Sequence, residues 1–108
     1  MQKSELIDFI IAELNRGFIV HISEEFLDPR YLDYFYSHTL TRLKDGIYNW
    51  EEYQTDNDAS NLPVTRKYMW DESALRKRLE HVEERFLLNT SIEEVENGPF
   101  RSMIPKKK

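Results

Sequence analysis

The chain has 108 residues but no cysteine, and its three glycines are far apart from one another. The absence of cysteine excludes disulfides, thiolate metal ligands and cysteine nucleophiles. Isolated glycines cannot build the glycine-rich loop whose backbone amides bind a phosphate. The sequence also lacks a run of about 18 apolar residues, so we expect no membrane-spanning helix.

The apolar segment near the N-terminus does not have the pattern of a secretory signal. Asp8 and Glu13 interrupt it, whereas a signal peptide needs a continuous apolar region of about 7–15 residues. We therefore expect a cytoplasmic protein that has no membrane association.

Metal-binding patterns are incomplete in this sequence. The segment that starts at Asp56 begins like a calcium-binding loop, but its sixth residue is Asn61 and its twelfth is Lys67. Such a loop needs glycine at the sixth position and a bidentate glutamate at the twelfth. The three histidines are far apart and lack the spacing of a metal-binding pair: His21, His38 and His81. We expect no metal and no cofactor.

Catalytic motifs are missing as well. No Gly-x-Ser-x-Gly nucleophile elbow occurs. Acids do occur in adjacent pairs, such as Glu24-Glu25 and Glu51-Glu52. Adjacent residues on a helix point about 100° apart, so these pairs cannot face each other across a cleft as glycosidase carboxylates do. We therefore expect that the protein is not an enzyme.

The spacing of apolar residues predicts a mainly α fold. Helical periodicity covers residues 4–16, 29–45, 47–55 and 71–89, and a shorter helix is predicted over 91–97. Gly46 is interpreted as a break between the second and third helices. Residues 18–22 and 64–70 are rich in β-forming side chains and allow a minor two-stranded β element in which they pair. The sequence thus predicts a single compact domain of four to five helices over residues 1–98, followed by a frayed basic C-terminal tail over residues 99–108.

Aromatic rings and negative charge are concentrated between residues 24 and 58. Eight of the fourteen aromatic residues lie there, with nine acids and only three bases. Tyrosine and tryptophan favour surfaces that are both apolar and polar, as protein interfaces are. One helix cannot bury every face, so we expect the surplus tyrosines to line a groove or a subunit contact.

This segment predicts a non-catalytic protein–protein interaction module. We expect an acidic, aromatic-rich surface to dock a protein partner with a basic surface, as an inhibitor or accessory factor of the mobile-element type does. Aromatic anchors and steering carboxylates together form the candidate partner-binding site: Tyr31, Tyr34, Tyr36, Trp50, Glu51, Glu52, Tyr53, Asp56 and Asp58.

Two other functions remain open at this stage. The first is a homo-oligomeric structural or assembly protein, in which the same aromatic residues and a narrow apolar seam typical of a coiled-coil contact bury against a second copy; the seam consists of Leu75, Leu79, Val82 and Phe86. The second is a nucleic-acid-binding regulatory factor. Residues 66–108 carry a net charge of +2 against −7 for residues 1–65, and basic residues beside aromatic rings can bind phosphates: Arg66, Lys67, Arg76 and Lys77.

Overall fold

The computed structural model describes residues 2–27, 30 and 32–94. Within this part of the chain, helices stand near both ends and four strands follow one another between them. The elements are α1 (Lys3–Asn15), β1 (Ile19–Phe26), β2 (Tyr34–Lys44), β3 (Ile47–Asp56), β4 (Val64–Asp71), α2 (Glu72–Glu80), α3 (Glu84–Leu87) and β5 (Ser91–Glu93).

The five strands form one antiparallel sheet in the order β4-β3-β2-β1-β5. The prediction of a mainly α domain of four to five helices is therefore wrong. Strands β1 to β4 form a meander in which each pairs with the next along the chain, and the short β5 returns to the free side of β1.

The largest error concerns residues 29–45 and 47–55, which were predicted to be helices and are the hairpin of β2 and β3. Asp45 and Gly46 form its turn, and Gly46 has a φ of 75°. Asp-Gly between two strands favours the tight hairpin turn, because the central residues of that turn need positive φ. Gly46 does interrupt the segment, as predicted, but it joins two strands. The start predicted at residue 29 lies outside the described residues.

Both segments that were predicted to be extended are strands, but they do not pair with each other. Residues 18–22 fall largely within β1, which lies between β2 and β5. Residues 64–70 fall within β4, which pairs with β3 alone. The predicted two-stranded element is therefore wrong in its pairing, because the unrecognised hairpin occupies the space between the two segments.

The helices agree with the prediction at one end of the chain and differ at the other. The helix predicted over residues 4–16 is confirmed as α1, and Gly17 follows it with a φ of 91°. The helix predicted over 71–89 is divided into α2 and α3. The ring of His81 lies 2.8 Å from the Lys77 carbonyl through Nδ1 and satisfies a carbonyl at the end of α2.

The short helix predicted over residues 91–97 is wrong for residues 91–93, which form β5. Residues 95–97 and the predicted tail over 99–108 lie outside the described residues, so the tail stays a prediction. The assignment of residues 1–98 to one domain also stays a prediction. The described residues form a single core cluster.

All three described helices pack on one face of the sheet. Helix α1 contacts β1 and β2, α2 contacts β3 and β4, and α3 contacts β1. Buried side chains from the helices meet buried side chains of the strands in this layer: Leu6, Ile7, Ile10, Ile11, Leu14, Leu75, Leu79, Val82, Phe86 and Leu87 against Val20, Ile22, Leu40, Tyr48 and Trp50. Among the described residues, no helix is long and apolar enough to cross a membrane.

Candidate functional site

The sheet has one face under the helices, the covered face, and one face without a helix, the open face. Residues paired across antiparallel strands project from the same face, and successive residues alternate between faces. Apart from the pair Ile47–Asp71 at the strand ends and Lys44 in the adjoining bulge, the registers therefore define the open face: Ile19, His21, Ser23, Glu25, Phe35, Ser37, Thr39, Thr41, Asn49, Glu51, Tyr53, Thr55, Thr65, Lys67, Met69, Ser91 and Glu93. None of these seventeen side chains is buried by the described part of the chain.

The composition of the open face explains why it forms a stable sheet surface in water. Threonine, tyrosine and phenylalanine have high strand propensity, and serine and threonine hydroxyls remain hydrated there. An antiparallel sheet can bury one face and leave the other to solvent. The open face carries three carboxylates, of Glu25, Glu51 and Glu93, against one lysine, Lys67. It is therefore acidic.

Two aromatic rings stand on the open face, one near the start of β2 and one near the end of β3. Tyr53 is 47% exposed, and Phe35 is half-buried. Phe35 pairs with Thr55 and Ser37 pairs with Tyr53, so the two aromatic residues are diagonal neighbours on adjacent strands. Both border a cavity of about 180 Å³, which we call the aromatic cleft: Ser23, Glu24, Glu25, Phe35, Tyr36, Ser37, Tyr53 and Thr55.

A second cavity lies further along the same two strands. Its volume is about 130 Å³, and it is bordered by Thr39, Thr41, Asn49, Trp50, Glu51 and Lys67. The Lys67 ammonium lies 3.4 Å from the carboxylate of Glu51, and both side chains are at least half exposed. At that exposure the ion pair is largely screened by solvent and contributes little stability.

The remaining carboxylate of the open face, Glu93, lies beside His21 at the β1–β5 edge. The Nε2 atom of His21 is 2.9 Å from Oε1 of Glu93. This contact joins the short strand β5 to β1 through side chains as well as through the backbone. The carboxylate of Glu93 thus already contacts His21, whereas the carboxylate of Glu25 makes no ion pair with any described residue.

The covered face contains a buried polar network around His38, whose ring is fully enclosed. Trp50 donates its indole N–H to Nδ1 of His38 over 3.0 Å. An indole nitrogen is only a donor, so Nδ1 accepts and the ring hydrogen lies on Nε2. That N–H donates to Oε1 of Glu24 over 2.8 Å. Both ring nitrogens are therefore satisfied inside the protein.

Glu52 extends this network towards the surface. Its carboxylate lies 3.0 Å from the guanidinium of Arg66, 3.8 Å from that of Arg78 and 3.7 Å from Nδ1 of His38. The Arg78 guanidinium also covers the Trp50 ring, at 4.7 Å from its centroid. A buried carboxylate needs partners such as these two guanidinium groups, because an uncompensated charge in the interior is costly; Nδ1 of His38 accepts from Trp50 and does not donate to Glu52.

The buried network is better suited to hold the fold than to react. The imidazole has no free nitrogen, and the two nearby carboxylates, of Glu24 and Glu52, are almost fully buried. No group of three or more metal-ligating side chains occurs among the described residues. We therefore place the candidate site on the open face.

The structure separates the predicted partner-binding residues into three groups. Glu51 and Tyr53 lie on the open face, as an interaction surface requires. Trp50 and Glu52 are buried on the covered face and are not surface anchors. Successive side chains of a strand alternate between the faces, so these two point away from the face that carries Glu51 and Tyr53. Tyr31 lies outside the described residues.

Two of the predicted tyrosines project from the covered face beyond the helices. Tyr36 is half-buried and stacks on His38, with ring centroids 6.1 Å apart. Phe26 meets the Tyr36 ring edge-on at 5.7 Å. Tyr34 stands at the start of β2 and is 36% exposed. Tyr36 therefore packs at the edge of the core, and Tyr34 lies beyond this edge and is more exposed.

The two predicted aspartates organise the connection between β3 and β4. Asp56 accepts hydrogen bonds from the Asp58 N–H and from the Asn61 amide. Asp58 accepts from the hydroxyl and the N–H of Ser60, and these hydrogen bonds hold the pKa of Asp58 below its ordinary value. Both carboxylates thus stabilise the loop and lie away from the open face.

The four basic residues proposed for phosphate binding do not form one surface. Arg66 and Lys67 project from opposite faces of β4, and each pairs with a glutamate. Arg76 pairs with Asp8 and Glu72, and the hydrogen bond to Asp8 is the main cause of its raised pKa. Lys77 is exposed. The charge available for a phosphate backbone is therefore small.

Two residues of the aromatic cleft, Phe35 and Glu25, were missed by sequence reasoning. The signal was the alternation of side chains along β1 and β2, which becomes readable only when both segments are recognised as strands. Under a helical interpretation Phe35 falls on the apolar stripe and Glu25 appears as solvated charge. The apolar seam of residues 71–89 was predicted to be a contact surface, but its four side chains are buried within the monomer.

Comparison with known proteins adds no relative. No family model, no curated protein and no solved structure matches the chain. Function is therefore inferred from the geometry of the chain's own residues.

Proposed function

We propose that the chain is a non-catalytic protein-binding module whose open face docks a protein partner with a basic surface. The observation that carries this proposal is the open face itself. It combines an unburied sheet surface, two aromatic rings and an excess of carboxylates on strands that are fixed by a packed core.

Rigid strands are a favourable platform for binding. Side chains held on a packed sheet lose little conformational freedom when a partner arrives, so more of the contact energy appears as affinity. Tyr53 and Phe35 supply apolar area on the two central strands, near one end of the open face, and aromatic residues are common interface anchors. Glu25 and Glu51 supply the negative potential that attracts a basic partner.

Trp50 and Glu52 are buried, so the proposed binding surface no longer includes them. Both residues act indirectly, because they hold β3 in the register that exposes Glu51 and Tyr53. The burial of the seam leaves only the aromatic residues to support a homo-oligomer, and the pairing of Arg66 and Arg76 weakens the nucleic-acid alternative.

Affinity capture from a source-cell lysate tests the proposal when it uses matched charge variants. The open-face variant is Glu25→Lys/Glu51→Lys. The control is Glu80→Lys/Glu84→Lys, which makes the same charge change at exposed helical positions. We expect the wild type and the control to capture the same protein, less of it as salt rises, and the open-face variant to lose it.

Two results would overturn the proposal. One is capture by the open-face variant at the wild-type level. The other is an equal loss in both variants, since that would mean that net charge alone drives association. The molecular mass of each purified variant, measured alongside, identifies any self-association.

A further inference from the structure

We infer that the aromatic cleft is a recognition site for a single arginine side chain of the basic partner. This inference rests on the proposed function and names the group that the open face would bind. It is carried by two aromatic side chains on adjacent strands that border one cavity, a carboxylate without an ion pair to a described residue, and a set of hydroxyl acceptors.

The spacing of the strands at the two aromatic residues leaves room for one planar group between their side chains. Diagonal neighbours on adjacent antiparallel strands have Cα atoms roughly 7–8 Å apart, and Phe35 and Tyr53 stand in that relation. Stacked carbon atoms are separated by about 3.5–4.0 Å. A planar group between two rings needs about twice that distance, so the cavity bordered by Phe35 and Tyr53 suits a flat cation.

The charge of the cleft selects a cation. Glu25 lies directly opposite Phe35 in the β1–β2 register and is exposed. Its carboxylate makes no ion pair with any described residue, unlike Glu51 beside Lys67. Among the residues that the structure describes, no basic side chain borders the cavity, so an anionic ligand would be repelled by Glu25.

The hydroxyl groups around the cleft favour a guanidinium over an ammonium. Ser23, Ser37 and Thr55 border the cavity, and none of these side chains has a hydrogen-bond partner among the described residues. Arginine presents five N–H donors in one plane and stacks on aromatic faces, whereas lysine presents a compact and strongly hydrated charge. The three hydroxyl acceptors and the exposed carboxylate of Glu25 around the aromatic cleft therefore suit the five donors of a guanidinium better than the three of an ammonium.

An NMR titration with N-acetyl-arginine methylamide tests the site directly. We expect saturable shifts concentrated on Phe35, Tyr53 and Glu25. The citrulline counterpart has the same shape without the charge and should not bind. The lysine counterpart should bind more weakly. Shifts spread over all exposed acids, or equal binding of the arginine and citrulline probes, would overturn the inference.

Two variants separate the contributions of ring and carboxylate. Tyr53→Ala and Glu25→Gln should each weaken arginine binding about fivefold, the scale of one cation–π contact at an exposed site. Tyr34→Ala and Glu93→Gln remove the same chemical groups outside the cleft and should leave binding unchanged. Equal effects in the two sets would contradict a defined site.

This titration and the capture experiment can fail separately. If charge reversal at Glu25 and Glu51 abolishes capture while Tyr53→Ala and Phe35→Ala leave it intact, the open face binds its partner without the arginine site. If charge reversal has no effect on capture, the proposed function fails, whatever the titration shows.

Discussion

The two faces of the sheet are built from the same strands but differ in the environment of their glutamates. On the covered face, Glu24 and Glu52 are buried and contact His38, Arg66 or Arg78. On the open face, Glu25 and Glu51 are exposed, although each is the immediate neighbour of a buried glutamate in sequence. Buried charge needs partners and fixes the fold, whereas exposed charge remains available for binding.

The largest expected effect tests the covered face. Trp50→Ala removes a fully buried ring, the donor to His38 and the surface beneath Arg78. We expect a loss of about 3–5 kcal/mol in the free energy of unfolding. Tyr53→Ala, the matched change on the open face of the same strand, should cost about 1 kcal/mol or less. Chemical denaturation measures both, and similar losses would erase the contrast between the faces.

The adjacent pair Glu24 and Glu25 sharpens the comparison. Glu24→Ala leaves the buried N–H of His38 without its acceptor, which should cost about 1–3 kcal/mol in unfolding free energy. Glu25→Ala should change stability by no more than about 0.5 kcal/mol and should weaken capture of the basic partner. Denaturation and capture on both variants give the result. A destabilised Glu25→Ala, or a stable Glu24→Ala, would mean that the strand register is wrong.

A gain in affinity is expected at Lys67. This lysine is the one lysine among the seventeen open-face residues and lies beside Glu51. Lys67→Ala frees that carboxylate for a basic partner and removes a repelling charge, so binding should tighten about two- to fivefold. Lys77→Ala removes an exposed lysine from α2 instead and serves as the control. Weaker binding of Lys67→Ala would show that Lys67 itself contacts the partner.

The smallest expected effect lies in the loop between β3 and β4, outside both faces. Hydrogen bonds from Ser60 hold the pKa of Asp58 below its ordinary value. A carboxyl with a lowered pKa contributes stability above its ordinary pKa, and this stability is lost as the pH falls through the lowered value. We expect the protection of the Ser60 amide, measured as its hydrogen-exchange rate relative to that of an unstructured amide at the same pH, to decrease below about pH 4. Asp58→Asn should show the lower protection already at neutral pH.

The sequence predicted the first helix and the segment 64–70 better than the hairpin between them. Helix α1 and the extended segment 64–70 follow from simple apolar or β-forming patterns. The β2–β3 hairpin was missed because its buried side chains include His38 and Glu52. These polar residues break the apolar alternation that identifies a strand. The Asp45-Gly46 turn carried the missing information, since Asp-Gly is a strong hairpin signal.

The candidate site shows the same limit at the level of side chains. The excess of tyrosines and acids was visible in the sequence, and Tyr53 and Glu51 were assigned to a surface. Which neighbour of each pair faces solvent depends on strand register, and register depends on pairing between distant segments. Trp50 and Glu52 were therefore placed with the surface residues although they support the surface from within.

Carboxylate footprinting of the captured complex tests the open face as the docking surface most directly. A carbodiimide labels exposed acids, and the labelling is compared with and without the bound basic partner. We expect protection of Glu25 and Glu51, and unchanged labelling of Glu80 and Glu84 on the helices. Protection of the helical acids, with Glu25 and Glu51 labelled as in the free protein, would contradict the account.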